Sequence, residues 1–460
     1  MELRTSQDWV SEDTAGRNKI REQSLGSGSA ALTEPTLKPE ARRQLKRIGQ
    51  ADLVIGIPTY GDARSVGMVV QTALDGVTAD LRDVRAVLIN CDAGRIRGTR
   101  RAVADATADA TIPVVIGGHS GRLGRGSAVR AILQAALDLN ARATVILEAH
   151  TTSITADWVA ALARPVFDER VDLLMPRYHR PLPDGGLGDL VFYPLVRALW
   201  GYSLRQPGAG DCAVSSALAQ AVVAQDVWET EVATAGIEVW LSSMALTEGP
   251  NMKSGARWRV GQVDLGEKYC LPRATSTHFP RLFRQAVGTL LRQVYLRQAI
   301  WQALPTIQAL RSFPGSPISP GEPTPGRDVT PLVEALVIGW TEYRALWQRI
   351  LTAINLTMIE ELSVQSVDHF TFPADLWAKV LYDFAVVYNK GERDPDRIVD
   401  SLLPLYQGRL ASLWQDVAGL TWVGREGTVA AQAAECEAAR DYLLGRWQTY
   451  LPWVDSGEPR

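Results

Sequence analysis

Apolar positions along the chain change their spacing twice, and each change marks a different kind of structure. Up to about residue 48 they are sparse among Ser, Gly, Glu, Lys and Arg, and Ser24-Leu25-Gly26-Ser27-Gly28-Ser29 has linker composition. This predicts a mobile extension over 1–49, with a helix near Pro39 to Ile48. From Asp52 short continuous apolar runs alternate with helical patterns. The runs are Leu53 to Ile57, Ala86 to Ile89, Ile112 to Ile116, Thr144 to Leu147 and Val171 to Met175. Unbroken apolar runs suit strands covered on both faces by crossover helices. Their alternation with helices predicts an α/β fold built on a mostly parallel sheet, over 50–280.

Beyond about residue 280 the β-rich runs stop, and apolar and aromatic residues recur at helical spacing. A helical C-terminal domain is expected over 281–460. Its one break is 314–331, where six prolines stand among Gly and Ser, a composition that predicts a loop. Thr330 and Pro331 then read as an N-cap and first helical position for a helix reaching about Leu362. Further helices are expected near 374–389, 394–417 and 427–449. No internal repeat at a fixed period appears, which argues against a solenoid.

Composition narrows the function classes. With 48 basic against 51 acidic side chains the net charge is −3, so no global positive field is present to hold nucleic acid. Cys91, Cys212, Cys270 and Cys436 are widely separated, which argues against a secreted disulfide framework and for a reducing, cytoplasmic setting. No run approaches the roughly 18 apolar residues a membrane span needs, and Met1 to Asp13 lacks the apolar core of a signal peptide. A homo-oligomer is compatible with all of this.

Candidate chemistry lies at the strand ends, where open α/β sheets bind ligands. Pro58, Tyr60 and Asp62 leave the first strand, and Asp92 leaves the second. Acid and glycine in such turns suit a base and ribose, and equally suit the backbone angles of the turn. As a strand-end carboxylate, Asp92 is expected to contribute little to the core. After the third strand, Gly117 to Ser127 opens a helix, and Gly124, Arg125 and Gly126 offer main-chain approach and charge to a phosphate. Gly-Lys-Ser/Thr is missing, so this is no Walker loop. Glu148 and His150, two apart at the end of the fourth strand, point to one side and form either half of a divalent-metal site or a satisfied polar turn.

Taken in order, these turns resemble nucleotide-sugar-dependent glycosyltransferases of the GT-A fold, of the mannosylglycerate synthase and glucosyl-3-phosphoglycerate synthase type. The most specific stretch is Tyr193 to Gly201 followed by Arg205 to Asp211. Gly236-Ile237-Glu238-Val239-Trp240-Leu241 resembles the family's Gly-Ile-Asp-x-Trp-Leu, and Leu265 to Cys270 its Gly-x-Lys-x-His stretch. The resemblance implies a retaining transferase that moves a hexose from a nucleotide diphosphate sugar to a small, anionic acceptor such as glycerate. It implies that Pro58, Tyr60, Asp62, Asp92, Gly124, Arg125 and Gly126 hold the donor. Arg180 and Gly210 would hold the acceptor, and Asp211 and Glu238 would face the reacting groups. Glu148, His150 and Cys270 would hold the metal.

The departures from the family carry their own expectations. Glu148-Ala149-His150 stands where the family has Asp-x-Asp, and Cys270 where it has His. Nitrogen and sulfur in place of oxygen favour Mn²⁺ or Zn²⁺ over Mg²⁺. The family's acceptor segment appears as Asp184-Gly185-Gly186-Leu187-Gly188-Asp189, without its two hydroxyls. The alternative is a catalytically silent relative acting as a binding or regulatory subunit. A sugar-phosphate nucleotidyltransferase is disfavoured, because Ile57 to Gly61 lacks that class's Gly-rich, Arg- and Pro-containing loop.

Overall fold

The computed structural model describes residues 36–94, 97–180, 186–250, 255–271, 278–316, 322–391 and 394–452. Extension residues 1–35, the start of the acceptor segment (181–185) and 317–321 of the proline-rich stretch lie outside them. Eight strands form one sheet: β1 Leu53–Thr59, β2 Ala86–Asp92, β3 Val114–Gly117, β4 Ala143–Ile146, β5 Leu173–His179, β6 Cys212–Ser215, β7 Val260–Glu267 and β8 Arg311–Ser316. Their order is β3-β2-β1-β4-β6-β5-β7-β8, with β6 antiparallel to both neighbours and the other pairs parallel. The expected α/β fold, a mostly parallel sheet followed by a helical region, is therefore what the chain forms.

All five apolar runs became strands, shifted by up to four residues at their ends. β1 and β2 are buried at every position, as strands sandwiched between helices must be. Three strands were not predicted. β6 is short and β7 carries Gln262 and Asp264, so neither shows a continuous apolar run. β8 comes from beyond residue 280, where the pattern predicts helices alone, and takes Pro314 from the stretch predicted to be loop. Only its Phe313 is buried. It lies at the sheet's edge, where a proline's missing N–H costs no ladder bond.

The helix Pro39–Ile48 forms as expected, but it is not a loose end. Ala41 and Leu45 are buried, and the Lys38 amide donates to the Gly118 carbonyl at 2.9 Å, so this part of the extension belongs to the folded layer beside β3. In the C-terminal region the predicted helix from Thr330 is two, Thr330–Ile350 and Ala353–Ser363. Val329, not Thr330, occupies the cap position, and Asp328 accepts the Thr330 amide at 2.9 Å. Likewise 427–449 is split into Trp422–Ala438 and Arg440–Thr449. Helices Ala374–Lys390 and Pro395–Val417 match expectation, the second capped by the Asp394 side chain.

The helical region is fastened to the sheet region by long-range polar contacts. Trp377 Nε1 donates to the Leu190 carbonyl at 2.8 Å, and Arg197 pairs with Glu437. Asp189 accepts from Arg205 at 2.8 Å and from Arg425 at 3.0 Å, all three being nearly buried. No helix of the described residues is long and apolar enough to cross a membrane.

His119 gives the fold a pH dependence. Its Nδ1 lies 3.0 Å from the Ser120 carbonyl while Nε2 is buried without a partner, and burial lowers its pKa. The unfolded chain then binds a proton that the folded chain refuses, so stability is full above the unfolded value near 6.5 and falls as pH drops through it. The urea midpoint should be lower near pH 5.5 than near pH 7.5, and His119→Gln should flatten that difference. An equal slope in the variant would count against His119 as the source.

Candidate functional site

A cavity of about 720 Å³ opens at the carboxyl ends of the central strands, a size within the roughly 300–1,000 Å³ of ligand sites. The end of β1 supplies Pro58 to its wall, and the turn after it Tyr60 and Asp62. The Asp62 carboxylate accepts the Tyr60 amide at 2.7 Å, which fixes the turn. Asp92, at the end of β2, lies behind the wall. It is buried and takes hydrogen bonds from Thr59 Oγ1 (3.1 Å), the Gly94 amide (3.2 Å) and Arg100 (3.3 Å). The expectation that it contributes little to the core therefore fails.

Gly124 and Arg125 line the cavity where the helix Arg125–Asp138 begins, but Gly126 does not. The Gly126 amide is used on the Thr234 carbonyl at 3.0 Å, and a Cβ there would lie 1.8 Å from the Val232 carbonyl oxygen. This close approach carries the segment before Ile237 to the cavity, so that Thr234 and Glu238 face it. Arg125 pairs with Glu238 through Nε and donates through a second nitrogen to the Gly210 carbonyl at 2.6 Å. Burial opposes the Arg125 charge, but Glu238 and Glu148 outweigh it and raise its pKa, while burial raises that of Glu238.

Glu148 and His150 follow β4, and Cys270 follows β7, some 120 residues later. An antiparallel bridge between Thr151 and Cys270, with the Leu271 amide donating to the His150 carbonyl at 3.0 Å, lays the two segments side by side. Ligand atoms of Glu148, His150 and Cys270 consequently lie within 4.8 Å of one another, each residue half-buried on the cavity wall. Gly210 stands so close that a Cβ would meet Glu148 Oε1 at 2.1 Å, so glycine there is a condition of the carboxylate's position.

Beneath this triad lies a group that sequence reasoning quoted but did not single out. Lys268 is fully buried, its ammonium bonded to both Glu148 and Asp211 and 4.4 Å from the centre of the Tyr178 ring. Asp211 is also fully buried. It accepts the Glu148 amide at 2.7 Å and the Tyr178 hydroxyl, and it does not reach the cavity wall. Burial works against the Glu148 carboxylate, but Lys268, then His150, Arg125 and Arg180 hold its pKa well below the usual range. Burial likewise works against the Lys268 ammonium, and Asp211 and Glu148 raise its pKa nonetheless. The Cys270 thiol is pushed up to about 11 by burial, so proton loss there has to be driven by a bound cation.

Arg180 also lines the cavity, its guanidinium 5.3 Å from the Tyr178 ring centre. Among the described residues no carboxylate lies within ion-pair distance of it. The cluster thus holds three acids (Glu148, Asp211, Glu238) and three cations (Arg125, Arg180, Lys268). The Gly-x-Lys spacing from Gly266 to Lys268, in the stretch already compared with the family, was the available sequence signal for Lys268. The aromatic wall contributed by Phe279, Tyr406 and Trp414 had none, because helical periodicity reads identically for a core and for a cavity lining.

No protein-family model matches the chain, and no curated protein matches it. Among solved structures it is similar to glucosyl-3-phosphoglycerate synthase from Mycobacterium tuberculosis in complex with Mg²⁺ and uridine diphosphate. That likeness has 19% identity, covers 55% of this chain and 83% of that one, and has a TM-score of 0.40. The same enzyme with Mn²⁺, uridine-diphosphate-glucose and phosphoglyceric acid shares 21% identity over 54% of this chain and 82% of that one, again with a TM-score of 0.40. The likeness is distant, and the functional reading rests on the site itself.

Proposed function

We propose that the chain is a retaining glycosyltransferase of the GT-A kind, moving a hexose from a nucleotide diphosphate sugar to a small anionic acceptor. One observation carries the reading: the β1 turn, Arg125, Glu148, His150, Arg180, Glu238 and Cys270, far apart in sequence, share one cavity at the sheet's carboxyl edge. Asp62 contacts the base or ribose, and Asp92 acts from behind by holding Thr59 and the turn at Gly94. Arg125 faces the diphosphate, and Arg180 the acceptor's anionic group. Glu238 sits beside the reacting sugar, while Asp211, being buried, positions Lys268 and Glu148.

The donor set of one carboxylate, one imidazole and one thiol fits a divalent cation of borderline softness, Mn²⁺ better than Mg²⁺. Such an ion would add positive charge opposite the departing diphosphate. In the transfer the bond from the anomeric carbon to the diphosphate breaks, the bond to the acceptor oxygen forms, and the hydroxyl proton passes to the departing diphosphate.

Thermal unfolding in a panel of nucleotide diphosphate sugars, with and without Mn²⁺, tests this reading. A donor at about 100 times its Kd adds about 2.7 kcal/mol of stability. We expect one donor to raise the unfolding temperature, more strongly with Mn²⁺. Absence of any shift across the panel would reject it. The second reading, a silent binding subunit, is favoured by Lys268, whose ammonium already pairs with both Glu148 and Asp211. It predicts donor binding with neither transfer nor donor hydrolysis.

A further inference from the structure

The cavity wall is mixed. Beside the ionised cluster, Phe192, Phe279, Leu282, Tyr406, Leu410 and Trp414 line it, with Arg281, Gln285 and Gln407 between them, and all but Phe192 come from the helical region. This wall begins at Leu187, in the segment after β5, and Gly186 lies so near that a Cβ would come 2.8 Å from Leu410 and from the Tyr406 hydroxyl. Phe279 is 39% exposed even though its ring packs against Phe283 and Tyr406, with centroids 6.1 and 6.0 Å away. The ring is held in place yet left uncovered, an arrangement that favours apolar ligand surface over water.

An all-polar acceptor of glycerate size leaves these apolar side chains without a partner. Arg180, in the same cavity, has no carboxylate among the described residues at ion-pair distance, so it supplies the complementary charge for one anionic group. Resting on the glycosyltransferase reading above, we propose that the acceptor is an amphiphilic hydroxy acid. Its carboxylate pairs with Arg180, its hydroxyl turns toward the reacting sugar, and its apolar body lies on the wall formed by Phe279, Leu282, Tyr406, Leu410 and Trp414.

The test is calorimetry on the full chain with glycerate, 2-hydroxybutyrate, 2-hydroxyhexanoate and 2-hydroxyoctanoate, with a stabilising donor nucleotide diphosphate present. Affinity should rise about fourfold per added methylene until the wall is covered. Phe279→Ser, compared at a temperature where its unfolding curve shows it fully folded, should weaken 2-hydroxyhexanoate about tenfold and glycerate hardly at all. Arg180→Gln should weaken every member of the series alike. A flat series in the presence of a bound donor overturns the acceptor assignment and leaves the glycosyltransferase reading standing. Failure of every donor to bind overturns that reading, and this assignment with it.

Discussion

Replacing Lys268 by Met should lower the free energy of unfolding by about 3–5 kcal/mol near pH 7.5, because it strands buried carboxylates without their cation. The ammonium and Asp211 are both fully buried, so water cannot take over the interaction lost at Asp211, while Glu148 keeps partial access to the cavity. The sign of the pH effect follows from Glu148. In the native chain its pKa is held well below 4.5, so its contribution is present above the unfolded value and is lost as pH falls. Without Lys268 the largest opposing charge is gone and that pKa moves up, so the variant's deficit should narrow as pH falls and the carboxyl takes up a proton. Adding Asp211→Asn to Lys268→Met should recover part of the loss, a coupling that a double-mutant cycle reads directly. A loss under about 1 kcal/mol for the single variant would mean that the cluster is far more hydrated than its burial implies.

His150→Ala should lower turnover about 100-fold while changing donor affinity little, since charge opposite the departing diphosphate matters most as the bond breaks. Mn²⁺ affinity, read by calorimetry without any substrate, should fall in parallel. The wild-type chain should work in Mn²⁺ and less well in Mg²⁺, and Cys270→Ser, which returns a hard oxygen to the set, should move that preference toward Mg²⁺. Full activity in a chelator, with His150→Ala unimpaired, would remove the metal from the reaction and leave Arg125 as the cation facing the diphosphate.

Period and composition placed most of the local structure. Continuous apolar runs foretold β1 to β5, and helical spacing foretold Ala374–Lys390 and Pro395–Val417, because burial on two faces or on one stripe leaves a period that the chain itself displays. Glu148 and His150 were legible as a pair, but they lie beyond the end of β4, so the turn and the Thr151–Cys270 bridge rather than strand alternation set their positions.

What the chain could not display was pairing across distance. β6 and β8 are defined by their neighbours in the sheet rather than by their own apolarity, and the bridge that sets Cys270 beside His150 exists only in the folded register. Lys268 between Glu148 and Asp211, Asp211 withdrawn from the cavity, and an aromatic wall borrowed from the helical region are likewise tertiary outcomes. Residue type and spacing determine which side chains are able to carry charge or cover carbon. Only packing of segments distant along the chain decides which of them meet, because burial and ion pairing act through space and leave no period along the chain.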